Sequence, residues 1–197
     1  MQLSSYFAEF PLILASGSPR RKDLLAASEI PFRVMVSDAD EFYPEELAVE
    51  KVPEFIAVNK ALAVADKARP GSIVLAADTI VVVDKLIIGK PEDDADAVRM
   101  LNLLSGRTHQ VYTGVAILQG DRIHGFTETT QVEFYPLTSE EINYYVRKFS
   151  PLDKAGAYGI QEWIGYIGVK NIIGDYYNVM GLPISRVIRE LQDFLAL

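Results

Sequence analysis

The chain has 197 residues, 49% of them hydrophobic, which is ample for a substantial core without covalent staples. It contains no cysteine, which excludes disulfides, thiolate metal sites and cysteine nucleophiles and fits a reducing, cytoplasmic setting. A formal net charge of −8 argues against broad binding to nucleic acid, so any phosphate ligand must meet a local basic site.

Taken in chain order, Met1 to Phe10 carries only Glu9 as a charge and lacks the basic stretch and long apolar core of a secretion signal. Pro11 to Ser16 reads as an apolar strand, Pro19 to Ser28 as a helix and Phe32 to Val36 as extended. Pro53 to Ala68 is helical, with an apolar stripe through Phe55, Val58 and Leu62. Ser72 to Val83 is a long strand. Its apolar part is about half of what a membrane-spanning helix needs and contains Asp78, so no membrane segment is expected. Val81-Val82-Val83 and Leu86-Ile87-Ile88 flank Asp84-Lys85, the signal of a tight hairpin. Asp93 to Ser105 is a helix closed by Gly106, Val111 to Leu118 and Arg122 to Phe134 are strands around Gly120-Asp121, and Ser139 to Phe149 and Ile184 to Leu195 are helices. The order predicts an α/β fold with a mixed, twisted sheet and flanking helices. Residues 1–197 contain no repeat or polar linker that would mark a separable domain.

Five segments could carry chemistry. In Leu12 to Arg21 an apolar strand runs through Ser16-Gly17-Ser18 into a helix, with Ser18 suited to the N-cap and Pro19 to the first helical position. Arg20 and Arg21 oppose the helix dipole there unless an anion is present, so the segment is either a phosphate site or a capped helix with solvated arginines. Asp78 interrupts an apolar strand. It requires a cation, a hydrogen-bond network or an exposed strand end; the alternative is that the strand stops at Ala77 and Asp78 shapes a turn. Lys90, in Gly89-Lys90-Pro91, can reach a phosphate as a point charge, although a lysine in such a turn is ordinarily solvated. Lys60, off the apolar stripe of its helix, reads the same way. Asp38, Asp40 and Glu41 form an acidic cluster. Magnesium takes one or two carboxylates together with phosphate oxygens and water, a requirement that Glu41 and Asp78 would meet. With His109 and His124 the only histidines, a histidine-rich metal site is not expected. The last segment, Asp153 to Gln161, is rich in small residues that let a ligand approach the backbone, and Gln161 offers both a donor and an acceptor to a base edge.

Ser16-Gly17-Ser18-Pro19-Arg20-Arg21, Ala77-Asp78-Thr79, Gly89-Lys90-Pro91 and Asp153-Lys154-Ala155-Gly156-Ala157-Tyr158-Gly159-Ile160-Gln161 together closely resemble the Maf family of nucleoside triphosphate pyrophosphatases. Further similarity in Leu103 to Gly106, Gly174 to Val179 and Gly181-Leu182-Pro183 extends the resemblance over nearly the whole chain. It implies a single Maf-like domain of two lobes around a substrate cleft, like inosine triphosphatase, and a homodimer. It implies hydrolysis of a nucleoside triphosphate to the monophosphate and pyrophosphate with a divalent cation, Mg2+ or Mn2+. By position, Asp78 matches the catalytic aspartate, acting as general base, and Glu41 helps it to hold the metal. Ser16, Arg20, Arg21, Lys60 and Lys90 would hold the triphosphate.

Arg20, Thr79 and Gln161 match the positions that mark the branch of the family acting on dTTP and UTP. Many members have glycine after the glutamine, whereas this chain has Glu162, a larger, charged neighbour for the base-reading residue. A second reading is a nucleotide-sensing regulator of cell division with little turnover, since the family name arose from an effect on septum formation. The two readings separate on whether the wild-type chain turns over a triphosphate.

Overall fold

The structure is a computed structural model that describes residues 6, 7 and 9–196; most of the reading of Met1 to Phe10 therefore lies outside the described residues. Seven strands, β1 (Leu12–Leu14), β2 (Phe32–Val34), β3 (Ile73–Val83), β4 (Leu86–Ile88), β5 (Thr108–Gln119), β6 (Arg122–Phe134) and β7 (Val169–Ile173), form one sheet. Its order is β2-β1-β3-β5-β6-β7, with β4 paired to β3 off this path. The sheet is mixed, as the order of elements predicts: β1 runs parallel to β2 and β3, while β3 and β4, and β6 and β7, are antiparallel. The helices are α1 (Pro19–Ala27), α2 (Val52–Ala65), α3 (Asp94–Leu104), α4 (Ser139–Phe149), α5 (Trp163–Gly168), α6 (Tyr176–Met180) and α7 (Ile184–Leu195). Among the described residues no helix is long and apolar enough to cross a membrane.

The chain divides into two compact units, the first made of Met1–Asp78, Thr113–Glu128 and Gly181–Leu197, the second of Thr79–Tyr112 and Thr129–Met180. The first has a core of small and branched side chains, in which Ala57, Ala61 and Val64 of α2 pack with Ile13, Val74, Ala76, Ala116 and Leu118. The close approach of α2 to β5 depends on Gly114: a Cβ there would lie 2.0 Å from the backbone nitrogen of Glu54. The buried face of α2 corrects the stripe read from its sequence. Ile56, Ala57, Ala61 and Val64 are buried, whereas Phe55 and Leu62 are exposed. Ala57 and Ala61 carry little weight in a hydrophobic pattern, yet both are fully buried in this core. Lys60 accordingly lies beside the buried face and not in solvent.

The second unit has a larger core, in which Leu101 and Leu104 of α3 and Ile142, Tyr145 and Val146 of α4 pack with Phe134, Tyr158 and Ile164. The hairpin from β3 to β4 turns at Asp84 and Lys85, both at positive φ (47° and 69°), as the twist of a two-residue connection demands. Gly106, at φ 69°, ends α3 and donates its backbone N–H to the Tyr135 carbonyl at 3.1 Å. Helix α4 opens on a capping box, Thr138 with Glu141.

Candidate functional site

Strand β1 delivers the chain to Ser16, and Ser18 then caps α1 with Pro19 at its first position, as expected. Ser16 is buried, and its hydroxyl accepts from the Ser18 backbone N–H at 3.2 Å and from Nη1 of Arg21 at 3.3 Å. Arg21 also donates Nε to the Gly181 carbonyl at 2.8 Å, so it braces two backbone segments of its unit. Desolvation pulls its guanidinium below the ordinary arginine value; Asp78 opposes that shift, Arg20 adds to it and Glu41 opposes it. Those four charges therefore lie within one electrostatic neighbourhood. Arg20 is half-buried on the first turn of α1.

Asp78 lies within β3, which continues to Val83, so the alternative in which the strand ends at Ala77 is excluded. Its Oδ1 accepts from the ammonium of Lys60 at 2.7 Å, and the same Nζ donates to Oε1 of Glu41 at 2.7 Å. The side chains of Lys60 and Asp78 are 12% and 11% exposed and that of Glu41 is 51% exposed, so the arrangement is a carboxylate held at depth and a second at the rim. A carboxylate buried in an apolar strand would otherwise cost several kcal/mol, and the shared ammonium offsets that cost. Lys60, read from sequence as a phosphate ligand or a solvated group, is thus engaged with the two acids. The acidic cluster splits: Asp38 pairs with Lys67 at 2.8 Å on the exposed surface, while Glu41 turns to Lys60.

The donor set suits a divalent cation. Glu41 and Asp78 present hard oxygens that converge on one positive group, the arrangement Mg2+ or Mn2+ uses when phosphate oxygens and water complete its shell. Among the described residues no group of three or more histidine, cysteine or acidic side chains could hold a metal.

In the second unit, Thr79 follows Asp78 on β3 and is half-buried. Lys90 is exposed just after β4. The Gly89 carbonyl before it accepts from the Gly156 backbone N–H at 2.9 Å, which ties this turn to the glycine-rich segment. Gly156 has a φ of 69°, and a Cβ there would lie 2.9 Å from a methyl of Val81, so glycine is required for both conformation and space. At the end of the segment the side chain of Gln161 has a buried Oε1 that meets no hydrogen-bond partner among the described residues. An orphan acceptor of this kind is costly unless a ligand satisfies it.

Sequence reasoning expects Tyr158 to pack in the core, which it does, and notes Glu162 as a charged neighbour of Gln161, but it misses what these side chains bond to beneath the segment. Tyr158 is buried, its hydroxyl 2.7 Å from Nε2 of His109. Burial raises the Tyr158 phenol far above its ordinary value and lowers the His109 imidazole to about 4, so both are neutral. Tyr145, Lys154 and Glu162 form a second support. The alternation of β5, which buries His109, is a signal that could have shown a histidine facing inward; no local pattern marks the others.

An α/β architecture with a mixed sheet is shared with a solved HAM1 protein from Coxiella burnetii, at a TM-score of 0.54 and 16% identity over 93% of this chain and 99% of that one. That likeness concerns the fold. The family follows from sequence: the profile described as Maf-like protein matches residues 11–194, and the chain belongs to that family. Among its relatives are a dTTP/UTP pyrophosphatase of Bacteroides thetaiotaomicron, 49% identical over 93% of this chain and 96% of that one, and another of Bacillus cytotoxicus, 52% identical over 92% and 94%.

Proposed function

We propose that this protein hydrolyses dTTP and UTP to the nucleoside monophosphate and pyrophosphate. The observation that carries the reading is the Lys60 ammonium bonded to both Asp78 and Glu41 in the electrostatic neighbourhood of Arg20 and Arg21. Relatives named for this activity over almost the full chain support it.

In this reading Ser16, Arg20, Arg21, Lys60 and Lys90 bind the triphosphate. An ammonium has three N–H donors; Glu41 and Asp78 take two from Lys60, which leaves one for a phosphate oxygen. Asp78, steadied through Oδ1 by Lys60, takes a proton from the attacking water on Oδ2. The water oxygen bonds the α-phosphorus, the bond from that phosphorus to the bridging oxygen breaks, and the cationic side chains stabilise the departing pyrophosphate. A divalent ion would be held by Glu41, with Asp78 reaching it through water while it serves as the base, and would withdraw charge from the phosphate oxygens.

Specificity rests on Arg20, Thr79 and Gln161. Thymine and uracil carry an N3–H donor between two carbonyls, whereas cytosine has an acceptor at N3. The orphan Oε1 of Gln161 suits the donor and not the acceptor. The resemblance further supports a two-lobed single domain, a homodimer, which light scattering after gel filtration would test, and a cytoplasmic setting. The test of the reaction is pyrophosphate release from dTTP, UTP, CTP, ATP and GTP with Mg2+, Mn2+ or EDTA. Metal-dependent turnover that favours dTTP and UTP is expected; a folded protein without turnover on any of them overturns the proposal.

A further inference from the structure

Glu162 occupies the cap position of α5, where a serine, threonine, aspartate or asparagine would ordinarily accept from the free N–H groups of the first helical turn. It makes no such bond. Its side chain folds back over Gly159 so closely that a Cβ on that glycine would lie 2.8 Å from Cδ of Glu162. One carboxylate oxygen, Oε2, accepts from the hydroxyl of Tyr145, and Oε1 lies 3.3 Å from the ammonium of Lys154. The Tyr145 hydroxyl accepts in turn from the backbone N–H of Gly159 at 3.0 Å. Tyr145 and Lys154 are both buried, and burial, followed by the Glu162 carboxylate, pushes the Tyr145 phenol far above its ordinary value, so it stays a donor.

Glu162 therefore links three points of its unit: the tyrosine of α4, the lysine at the start of the glycine-rich segment, and the glycine two residues before Gln161. We propose that Glu162 is a positioning residue, whose carboxylate fixes the segment from Lys154 to Gln161 and so sets where the Gln161 amide meets a pyrimidine base. The proposal rests on the pyrophosphatase reading. It also gives the charged residue beside Gln161 a task in holding the segment, since both its oxygens are engaged with Tyr145 and Lys154.

Glu162→Ala, Glu162→Gln and Tyr145→Phe test it by amide hydrogen exchange across residues 154–161 together with kcat and KM on UTP and CTP. Glu162→Ala should speed exchange at Gly159. It should raise KM for UTP about 10-fold, lower the preference for UTP over CTP by a similar factor and change kcat less, as a displaced binding group does. Glu162→Gln, which can still accept from Tyr145, should recover most of both effects. Tyr145→Phe should reproduce them, and the double variant should add little, because one chain of contacts is broken in each case. Faster exchange with KM and base preference unchanged, or unchanged exchange, overturns the proposal. An active wild type with Glu162→Ala indistinguishable from it refutes the positioning role alone. A wild type without turnover refutes the pyrophosphatase reading, and the affinity of a non-hydrolysable UTP analogue, followed by the fluorescence of the neighbouring Trp163, then decides the role of Glu162 by the same shift or its absence.

Discussion

In the unit that contains Asp78, opposite charges hold one another from depth to rim, Lys60 lying between the buried Asp78 and the exposed Glu41, while Ser16 and the Gly181 carbonyl brace Arg21. In the unit that carries Gln161, the glycine-rich segment is held mainly from below, by the neutral pair His109 and Tyr158 and by the enclosed contacts of Tyr145, Lys154 and Glu162. The contrast matches the tasks proposed for each. A charge cluster that reaches the rim at Glu41 can exchange a side-chain partner for a phosphate or a metal ion, whereas a segment that reads a base must keep its shape, and buried hydrogen bonds serve that end.

Replacing Lys60 by methionine breaks the first arrangement most severely. It leaves Asp78 at depth without its ammonium, and kcat/KM on UTP should fall about 10³-fold. A loss under 10-fold in steady-state kinetics would remove Lys60 from the chemistry.

The second arrangement should break with acid. The folded value of His109, about 4, lies below the ordinary 6.5, so the unfolded chain takes up a proton that the folded protein resists. Stability that is complete above pH 6.5 should be lost as pH falls through 6.5 towards 4, by about 3 kcal/mol in all. Urea unfolding across that range should show the loss, and His109→Gln should flatten it.

Gln161→Ala sharpens the comparison at its functional end. It should lower the preference for UTP over CTP about 30-fold with a smaller change in kcat, as expected when one ligand hydrogen bond is removed. Equal selectivity of variant and wild type would refute the role given to its orphan oxygen. The smallest effect belongs to the exposed pair of Lys67 with Asp38: Lys67→Ala should leave the thermal midpoint unchanged in scanning calorimetry.

Local signals carried much of the fold. The hairpin at Asp84-Lys85, the cap at Ser18-Pro19 and the stop at Gly106 are each set by a few adjacent residues, and all three hold. Helices α5 and α6 and strand β7 are short and were not read. Their sequences, such as Trp163 to Gly168 with two glycines, do not declare an element without tertiary contacts. Of the candidate site, Asp78 was legible because a carboxylate in an apolar run requires an explanation. What answers it, Lys60, is 18 positions away on a helix whose buried face includes two alanines, Ala57 and Ala61, that a hydrophobic pattern does not mark. The clasp of Tyr145, Lys154 and Glu162 was illegible for a similar reason: its members come together only when α4 packs against the glycine-rich segment.

The central claim is that Asp78 serves the reaction and not merely the fold. It is tested most directly by pyrophosphate release from UTP with Mg2+, in wild type and Asp78→Asn, alongside the affinity of each for a non-hydrolysable UTP analogue. The account predicts turnover in the wild type, a loss of at least about 10³-fold in the variant, and analogue affinity within about 10-fold. Turnover retained in a folded Asp78→Asn protein would contradict it.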